Sequence, residues 1–488
     1  MKTRLMVWAS MLAVALAAAC DSSSPNFTGV DGHVDDAAPD AVQCAPSEVQ
    51  CGSTCANLMT DPDNCGACGW NVTRGRRCEM GKPMPAWQPI PTAGAPTGRY
   101  ALTFWTGRRL LVAIGRTQYA YSPASNQWSM LTSEVPFEPR ATDAVVTLPE
   151  RKTTFVWASN DDVRMPPSNA SYIFVDQDDA SAGWEANAAG APSPRRQVAI
   201  TRRGSSVYVM FGQQGVYDGT PQSLQGLNDG GRYDLDTRQW TPVPADPGGC
   251  DGQGRTYNPI AIAGGKLMTM AGAHGASVLP CNGPARALDL TGGTWSAADM
   301  TLGSRIRHVW VAANGRFVLV GGAVAGANDT TPAFNNTAVV TPAGHVTVGQ
   351  GPLPMGAQLG YGLAAGRSVL VFSGVTQYYD GTMVMGGAIG PVDDQNIAWS
   401  LLPSTGAPAP RMNVATEGSY SLGNQQQLWS GREAIVFGGH TRTSGFATAW
   451  LDGGAGYQPP AACVCPTDED PDGTCAGVSH IAATGCVP

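Results

Sequence analysis

Residues 207–240 read VYVMFGQQGVYDGTPQSLQGLNDGGRYDLDTRQW, and this stretch decides the fold class. It begins with an apolar run that ends at Gly212, and it closes with Tyr233 and Asp234 followed by Trp240. A short apolar run of this kind is typical of a strand buried on both faces, and the final Gly permits a turn where a side chain would clash. The Tyr-Asp pair and the Trp predict two further strands joined by a tight turn. The stretch therefore predicts one small antiparallel sheet with two apolar faces.

The same pattern recurs about every fifty residues along residues 84–458. A sheet with two apolar faces buries both of them only when copies stack, and a ring of copies leaves no face free. The sequence therefore predicts an all-β propeller, in which a Trp of each unit fills the widening gap between neighbouring blades. The apolar runs of the other units are Leu110–Gly115, Leu267–Gly272, Phe317–Gly322, Val369–Gly374 and Ala434–Gly439. The Trp positions are Trp87, Trp128, Trp184, Trp240, Trp295 and Trp399, with Val348 in the one vacant position.

The repeated unit resembles the Kelch repeat, which has an apolar strand, a diglycine, a Tyr-Asp pair and a Trp. Two diglycines are intact, Gly321-Gly322 and Gly438-Gly439. The resemblance implies a seven-bladed Kelch-type β-propeller over residues 84–458. The segment from Trp87 mirrors the segment from Trp399, so we expect the strand at Trp87 to complete the last blade. If Tyr457 supplied a local outer strand instead, Trp87 would be surplus, and six or eight blades stay open.

The N-terminus has the features of an export signal. Residues 1–19 combine Lys2 and Arg4 with an apolar run that ends in small residues, which predicts a signal peptide. Cys20 follows directly and resembles the lipidated cysteine of a bacterial lipobox, although Ala17 stands where Leu or Val is usual. Residues 20–43 are then a lipid anchor and flexible tether in the bacterial envelope, periplasmic or surface-exposed, with the membrane as a partner. Ordinary cleavage that leaves a free Cys20 is the alternative.

The other twelve of the thirteen cysteines fall into even groups, which in an exported chain predicts disulfides within each group. Residues 44–83 contain Cys51-Gly52, Cys55, the run Asp61-Pro62-Asp63-Asn64-Cys65-Gly66-Ala67-Cys68-Gly69, and Cys78. This pattern resembles the small Cys-rich modules related to stigma-specific proteins. Zinc at Cys65 and Cys68 is the alternative for that module. Cys250 and Cys281 are predicted to pair across one rim of the propeller. The groups are Cys44, Cys51, Cys55, Cys65, Cys68 and Cys78; Cys250 and Cys281; and Cys463, Cys465, Cys475 and Cys486.

Residues 459–488 form a Cys-rich tail with alternating carboxylates. Asp468, Asp470 and Asp472 precede Gly473, and such a run can wrap Ca²⁺. Ser479 stands where an EF-hand-like loop would place a bidentate Glu, so an acidic turn between disulfides is the alternative. No other cofactor is predicted. The net charge of −8 argues against nucleic acid as a partner.

A candidate binding face follows from the loop lengths. In five of the predicted blades the loop between the second and third strands is long, at about residues 159–171, 213–230, 273–285, 323–337 and 375–396. Loops on one face of a rigid scaffold are the usual carriers of function. The candidate residues on these loops are Asp161, Asp162, Arg164, Tyr217, Asp218, His274, Tyr378, Tyr379, Asp380, His440 and Arg442.

An Arg recurs at the start of several units. A ring of guanidinium groups at the mouth of the propeller would suit carboxylates or sugar acids. Because the Arg follows the repeat itself, we favour a structural role in which it bonds backbone carbonyls. The series is Arg99, Arg140, Arg195, Arg307 and Arg411.

The predicted function is a binding protein that recognises a protein or glycan through this face. The alternative is a carbohydrate-active enzyme, because Kelch propellers include copper oxidases resembling galactose oxidase and sialic-acid epimerases. A copper site of that kind needs a compact His and Tyr set with a thiol cross-linked to a tyrosine. The propeller has only His274, His308, His345 and His440, and its cysteines are predicted to be bridged. The sequence thus disfavours copper, and an epimerase-like site of acid, base and Arg residues stays open. No catalytic residue is predicted.

Overall fold

In the computed structural model, the described residues from Cys44 to Val464 belong to one compact unit. The structure describes residues 43–97, 102–140, 143–160, 162–177, 183–187, 189–220, 223–248, 254–255, 259–270, 273–274, 279–280, 285–298, 305–306, 308–324, 334–348, 361–374, 376, 383–393, 396–411, 428–444, 447–451 and 453–464.

The strands form seven antiparallel sheets that are the blades of a β-propeller. Five strands precede the first complete blade: β1 (Val49–Cys51), β2 (Thr54–Ala56), β3 (Arg77–Glu79), β4 (Lys82–Met84) and β5 (Trp87–Ile90). Blade 1 contains β6 (Leu102–Trp105), β7 (Leu110–Ile114), β8 (Thr117–Ser122) and β9 (Gln127–Met130). Blade 2 contains β10 (Ala144–Leu148), β11 (Thr153–Trp157), β12 (Ser171–Val175) and β13 (Gly183–Ala186).

Blades 3 and 4 each carry an additional hairpin between their second and third strands. Blade 3 runs β14 (Ala199–Arg203), β15 (Ser206–Met210), the hairpin β16 (Gln213–Gln214) and β17 (Gln225–Gly226), β18 (Gly230–Asp234) and β19 (Gln239–Val243). Blade 4 runs β20 (Ile260–Ala263), β21 (Lys266–Thr269), the hairpin β22 (Ala273–His274) and β23 (Leu279–Pro280), β24 (Arg286–Asp289) and β25 (Trp295–Ala297).

Blades 5 to 7 repeat the plan. Blade 5 runs β26 (Arg305–Ile306), β27 (Val309–Ala313), β28 (Arg316–Val320), β29 (Ala323–Val324), β30 (Thr337–Val340) and β31 (Val346–Val348), with β26 paired to β29 outside the main sheet. Blade 6 contains β32 (Tyr361–Ala365), β33 (Ser368–Phe372), β34 (Gly387–Pro391) and β35 (Ser400–Leu401). Blade 7 runs β36 (Ala434–Phe437), the hairpin β37 (His440–Ser444) and β38 (Ala447–Trp450), and β39 (Gly454–Tyr457). Single 3₁₀ turns occur at Pro149–Arg151 and Ala461–Cys463.

The core of the molecule is divided among the gaps between blades. Each of the seven gaps holds one buried apolar cluster with side chains from both neighbours, including the gap between blade 7 and blade 1. In that last gap, Ile435 and Phe437 of blade 7 pack with Leu110 and Tyr121 of blade 1. A sheet with two apolar faces is stable only when both are covered, and the ring covers all of them. The prediction of seven blades is confirmed.

The repeated Trp lies in the outermost strand of its blade, or in blade 6 directly before it, as predicted. Tyr233 stands directly opposite Trp240 across the β18–β19 pair, with ring centroids 5.2 Å apart. The Trp240 indole also reaches the preceding blade, where it lies 5.9 Å from the Phe155 ring and donates to the Asn187 carbonyl at 3.1 Å. Each such Trp therefore ties its own blade to the one before it.

The ring closes where the sequence predicts. Strand β5 pairs with β39, so the segment at Trp87 becomes the outer strand of blade 7. Trp87 stands opposite Tyr457 and also packs against Phe372 of blade 6, with ring centroids 5.1 and 5.2 Å away. Tyr457 belongs to the neighbouring strand, so Trp87 is not surplus. The two ends of the propeller are held in one sheet.

The N-terminal cysteines pair within their own group. The bonds are Cys44–Cys55, Cys51–Cys68 and Cys65–Cys78. Because Cys65 and Cys68 belong to different disulfides, the zinc alternative is wrong. Cys463 is also disulfide-bonded. In the part of the chain that the structure describes, no helix is long and apolar enough to cross a membrane.

One loop boundary differs from the sequence prediction. The stretch 375–396 was expected to be loop, but Gly387–Pro391 inside it is strand β34. Glycine suits this strand because a Cβ on Gly387 would lie 2.4 Å from the Val371 carbonyl, and one on Gly390 would lie 2.3 Å from the Ile397 side chain. The Gly-rich sequence here reflects close packing in a blade and not a turn.

Candidate binding face

The long loops emerge at one end of the propeller. In blade 2, Ala144, Trp157 and Ser171 lie in register across the sheet, and Ala186 lies opposite the next residue, Tyr172. The loop after the second strand and the connection after the fourth strand therefore share one edge. The other blades have the same antiparallel order. We name this end the loop face. In contrast, the turns after the first and third strands lie at the opposite face.

The structure places the candidate residues that it describes on loops or hairpins of the loop face. Asp162 and Arg164 lie in the blade 2 loop, and Tyr217 and Asp218 lie in the blade 3 loop. His274 lies in strand β22, while His440 and Arg442 lie in strand β37. The following predicted residues lie outside the described residues: Cys20, Asp161, Cys250, Cys281, Tyr378, Tyr379, Asp380, Asp468, Asp470 and Asp472.

Two of these loops are joined to each other. The backbone N–H of Tyr217 donates to the carbonyl of Val163 at 2.7 Å. Beneath this contact the buried guanidinium of Arg196 donates to the carbonyls of Asp162 (3.2 Å), Met165 (2.6 Å) and Gly215 (3.2 Å). One side chain thus binds both loops, and hydrogen bonds from a charged group are stronger than neutral ones. The loops of blades 2 and 3 therefore form one fixed surface.

The outer side of this surface is chemically mixed. Met165 is 52% exposed and Val216 is 41% exposed. Arg164 and Asp218 are exposed, and Tyr217 is half-buried. We name these five residues the blade 2–3 patch.

Asp218 is held as a carboxylate. Its Oδ1 accepts hydrogen bonds from the Thr220 hydroxyl at 2.7 Å and from the Thr220 backbone N–H at 2.9 Å. These bonds, the hydroxyl first, lower the pKa of Asp218. The Tyr217 hydroxyl donates to the Gly219 carbonyl at 3.1 Å, which leaves its ring along the surface. The patch presents one cation, one anion and apolar area between them.

The recurrent Arg residues are structural in the blades where their bonds are described. Arg195 Nη1 donates to the carbonyls of Phe211 (3.2 Å) and Asp229 (3.0 Å), and Arg411 Nη1 donates to those of Gly438 (2.8 Å) and Gly453 (2.7 Å). Both side chains are buried. Each binds the carbonyl that follows the second strand of its blade, where the long loop begins. These residues fix the start of the long loops.

Sequence reasoning missed two members of this series. Arg255 and Arg305 are buried and donate to the carbonyls of Met270 (3.3 Å) and Gly321 (3.2 Å), which hold the equivalent place in blades 4 and 5. The spacing from the preceding Trp predicted Arg307 as the member in blade 5. Both Arg307 and Arg99 lie outside the described residues. The connections between blades differ in length, so the distance from the preceding Trp is not constant. The distance to the following inner strand is more regular, and it would have predicted Arg305.

Arg140 behaves differently from the other members. Its side chain is partly exposed and pairs with Glu138 at 3.0 Å. In this blade Asp143, which is buried, accepts from the N–H groups of Arg140 (2.7 Å) and Ser159 (2.6 Å). A carboxylate thus replaces the guanidinium as the group that fixes the start of the loop.

His308 is a buried histidine at the start of the inner strand of blade 5. Burial, together with the nearby charge of Arg305, lowers the pKa of His308 to about 3. The imidazole is therefore neutral at physiological pH. The residues that the structure describes contain no group of His, Cys, Asp and Glu that could hold a metal ion.

These features define the protein as a seven-bladed β-propeller with an elaborated loop face. No family model and no curated protein matches the chain. Among the solved structures that match is one titled "Structure of YjhT", which is 14% identical, covers 63% of this chain and 99% of that chain, and gives a TM-score of 0.48. A similarity of this extent adds nothing to the argument about function.

Proposed function

We propose that this protein is an exported binding protein whose ligand is recognised at the loop face. The observation that carries the proposal is the blade 2–3 patch, which is built from two loops and held in one arrangement by Arg196. A surface that is fixed before binding loses little conformational freedom on binding, which favours affinity. In the described blades the long loops lie on the loop face, whereas the opposite face has short turns.

The ligand that suits the patch best is a protein. Met165 and Val216 expose apolar area that cannot form hydrogen bonds with sugar hydroxyls. Met, Tyr and Arg are residue types enriched at protein interfaces. Arg164 and Asp218 flank this area with opposite charges, which would fix the orientation of a partner. The glycan ligand that the sequence left open remains a possible outcome of the test. The enzyme alternative stays a prediction.

We infer that the propeller is of Kelch type and that it is held in the bacterial envelope by a lipid on Cys20. The Trp in the outer strands and the diglycines at Gly321 and Gly438 support the first inference. The disulfides support export to an oxidising compartment. Calcium at Asp468, Asp470 and Asp472 in the tail is a further proposal, supported by the residue pattern alone.

The test uses photo-cross-linking in cells that produce the protein. A benzoylphenylalanine is placed at position 165 in the patch and, as the control, at position 151 in a turn of the same blade on the opposite face. We expect a discrete protein adduct from position 165 and none from position 151. Adducts of equal yield at both positions would reject the loop face as the site. No adduct, combined with binding of the purified protein to a glycan array, would replace the protein ligand by a glycan.

A further inference from the structure

The seam of the propeller is covered by a loop that a disulfide closes. Cys65 and Cys78 are bonded to each other and both are buried. We name residues 65–78 the clasp loop. Its side chains reach blade 7, the blade in which the two ends of the propeller meet.

An apolar contact anchors one end of the clasp loop. Trp70 is fully buried in the same cluster as Trp87, Ala461 and Cys463. The guanidinium of Arg432 stacks 4.7 Å from the Trp70 ring and donates to the carbonyl of Gly69 at 2.9 Å. The clasp loop is therefore part of the core between blades 6 and 7.

A buried carboxylate binds the other end of the clasp loop. Glu433, which directly precedes β36, accepts hydrogen bonds from Thr73 Oγ1 (2.8 Å), from Arg74 Nε (3.1 Å) and from Arg76 Nη1. The side chains of Glu433, Arg74 and Arg76 are almost fully shielded from solvent. The buried Gln458 also accepts from the Thr73 N–H at 3.0 Å and donates to the Asn71 carbonyl at 2.9 Å.

The same two Arg residues bridge the seam. Arg74 Nη2 donates to the Gln88 carbonyl in β5 at 2.9 Å, and Arg76 Nη2 donates to the Gly456 carbonyl in β39 at 2.7 Å. One loop thus holds both strands that close the ring, in addition to the ladder between them. A buried carboxylate that lost its cationic partners would be strongly destabilising.

We propose that the clasp loop is a redox-dependent lock on the ring. Without the Cys65–Cys78 bond the two ends of the clasp loop are no longer joined to each other, so keeping the two Arg side chains and Trp70 in place costs more conformational entropy. The two thiols close the loop by exchange with a disulfide oxidant, such as an oxidised dithiol protein: the Cys65–Cys78 bond forms, the oxidant's S–S bond breaks, and the oxidant takes up the two electrons and two protons as a pair of thiols. Stable closure of the propeller would therefore follow arrival in an oxidising compartment.

The test compares two variants that each remove one disulfide. C65S/C78S opens the clasp loop, and C44S/C55S is the matched control, because the hydrogen bonds described for residues 44–55 end within residues 45–68 and do not reach blade 7. Hydrogen exchange is measured at residues 87–90 and 454–457, with 206–210 of blade 3 as the internal reference. We expect at least tenfold faster exchange at the two seam segments in C65S/C78S and wild-type rates in C44S/C55S. Equal seam protection in both variants would overturn the proposal.

A second variant decides the matter if C65S/C78S does not fold. E433Q keeps all disulfides and the shape of the side chain but removes the charge that both Arg residues bind. We expect faster exchange confined to residues 87–90 and 454–457 in E433Q. Wild-type exchange at both segments would show that the clasp loop does not hold the seam.

Discussion

Tyr217 donates its backbone N–H to the carbonyl of Val163 at 2.7 Å, and this bond joins the long loops of two adjacent blades. This bond fixes the backbone of one loop against the backbone of the other, so their exposed side chains form one surface. Arg196 supports the junction from below through three carbonyls. A binding surface is thus built across the gap between blades 2 and 3.

Arg196→Met should loosen this junction. The substitution keeps most of the buried apolar stem but leaves three carbonyls without the guanidinium, which we expect to lower the free energy of unfolding by about 3 kcal/mol. Hydrogen exchange at Tyr217 should become faster. Urea unfolding and exchange measure the two effects. Arg164→Met, in the blade 2 loop that Arg196 binds, is the control, and because Arg164 is exposed it should change stability by less than about 0.5 kcal/mol.

Trp128→Ala tests the contacts that the repeated Trp makes between blades. The Trp128 ring lies 5.1 Å from Phe437 of blade 7, and its indole donates to the Pro91 carbonyl at 2.7 Å. We expect a loss of about 3 kcal/mol in the free energy of unfolding. Met130→Ala, in the same strand and 68% exposed, should cost less than about 0.5 kcal/mol. Equal losses in the two variants would argue against a structural role for the Trp.

The buried His308 predicts a specific acid sensitivity. Its pKa is about 3 in the folded protein, against about 6.5 when unfolded. Between pH 6.5 and pH 3 only the unfolded chain takes up this proton, so the free energy of unfolding falls as the pH falls through that range. Above pH 6.5 the residue has no effect on pH dependence.

His308→Gln provides the comparison. From pH 7 to pH 5, the wild type should lose about 2 kcal/mol more than the variant in urea unfolding, because each pH unit below 6.5 is worth up to about 1.4 kcal/mol. Identical pH dependence in the two proteins would mean that His308 becomes protonated in the folded state.

Much of the fold could be predicted because each repeat is marked by large apolar and aromatic residues at regular spacing. The apolar run Val207–Gly212 and the pair Tyr233 and Trp240 specify three strands of one blade, and the copies specify the ring. The mirrored segments at Trp87 and Trp399 also revealed how the ring closes. Such features are local in sequence and therefore readable without knowledge of long-range contacts.

The candidate site was predictable only as a set of loops. Loop length placed Arg164, Tyr217 and Asp218 on one face, but nothing local in the sequence shows that Tyr217 bonds Val163 or that Arg196 lies beneath both loops. The hydrogen bond from Arg76 to Glu433 joins residues far apart in the sequence, so it could not be predicted either. Contacts of this kind depend on the assembled blades.

The most direct test of the central claim is the yield of the cross-linked adduct from position 165 in two matched double variants. R164A/D218A removes an Arg and an Asp from the loop face of blades 2 and 3. R151A/D236A removes an Arg and an Asp that pair on the opposite face of the same two blades. We predict at least a tenfold lower yield in R164A/D218A and an unchanged yield in R151A/D236A. An unchanged yield in R164A/D218A, or equal losses in both variants, would contradict recognition at the loop face.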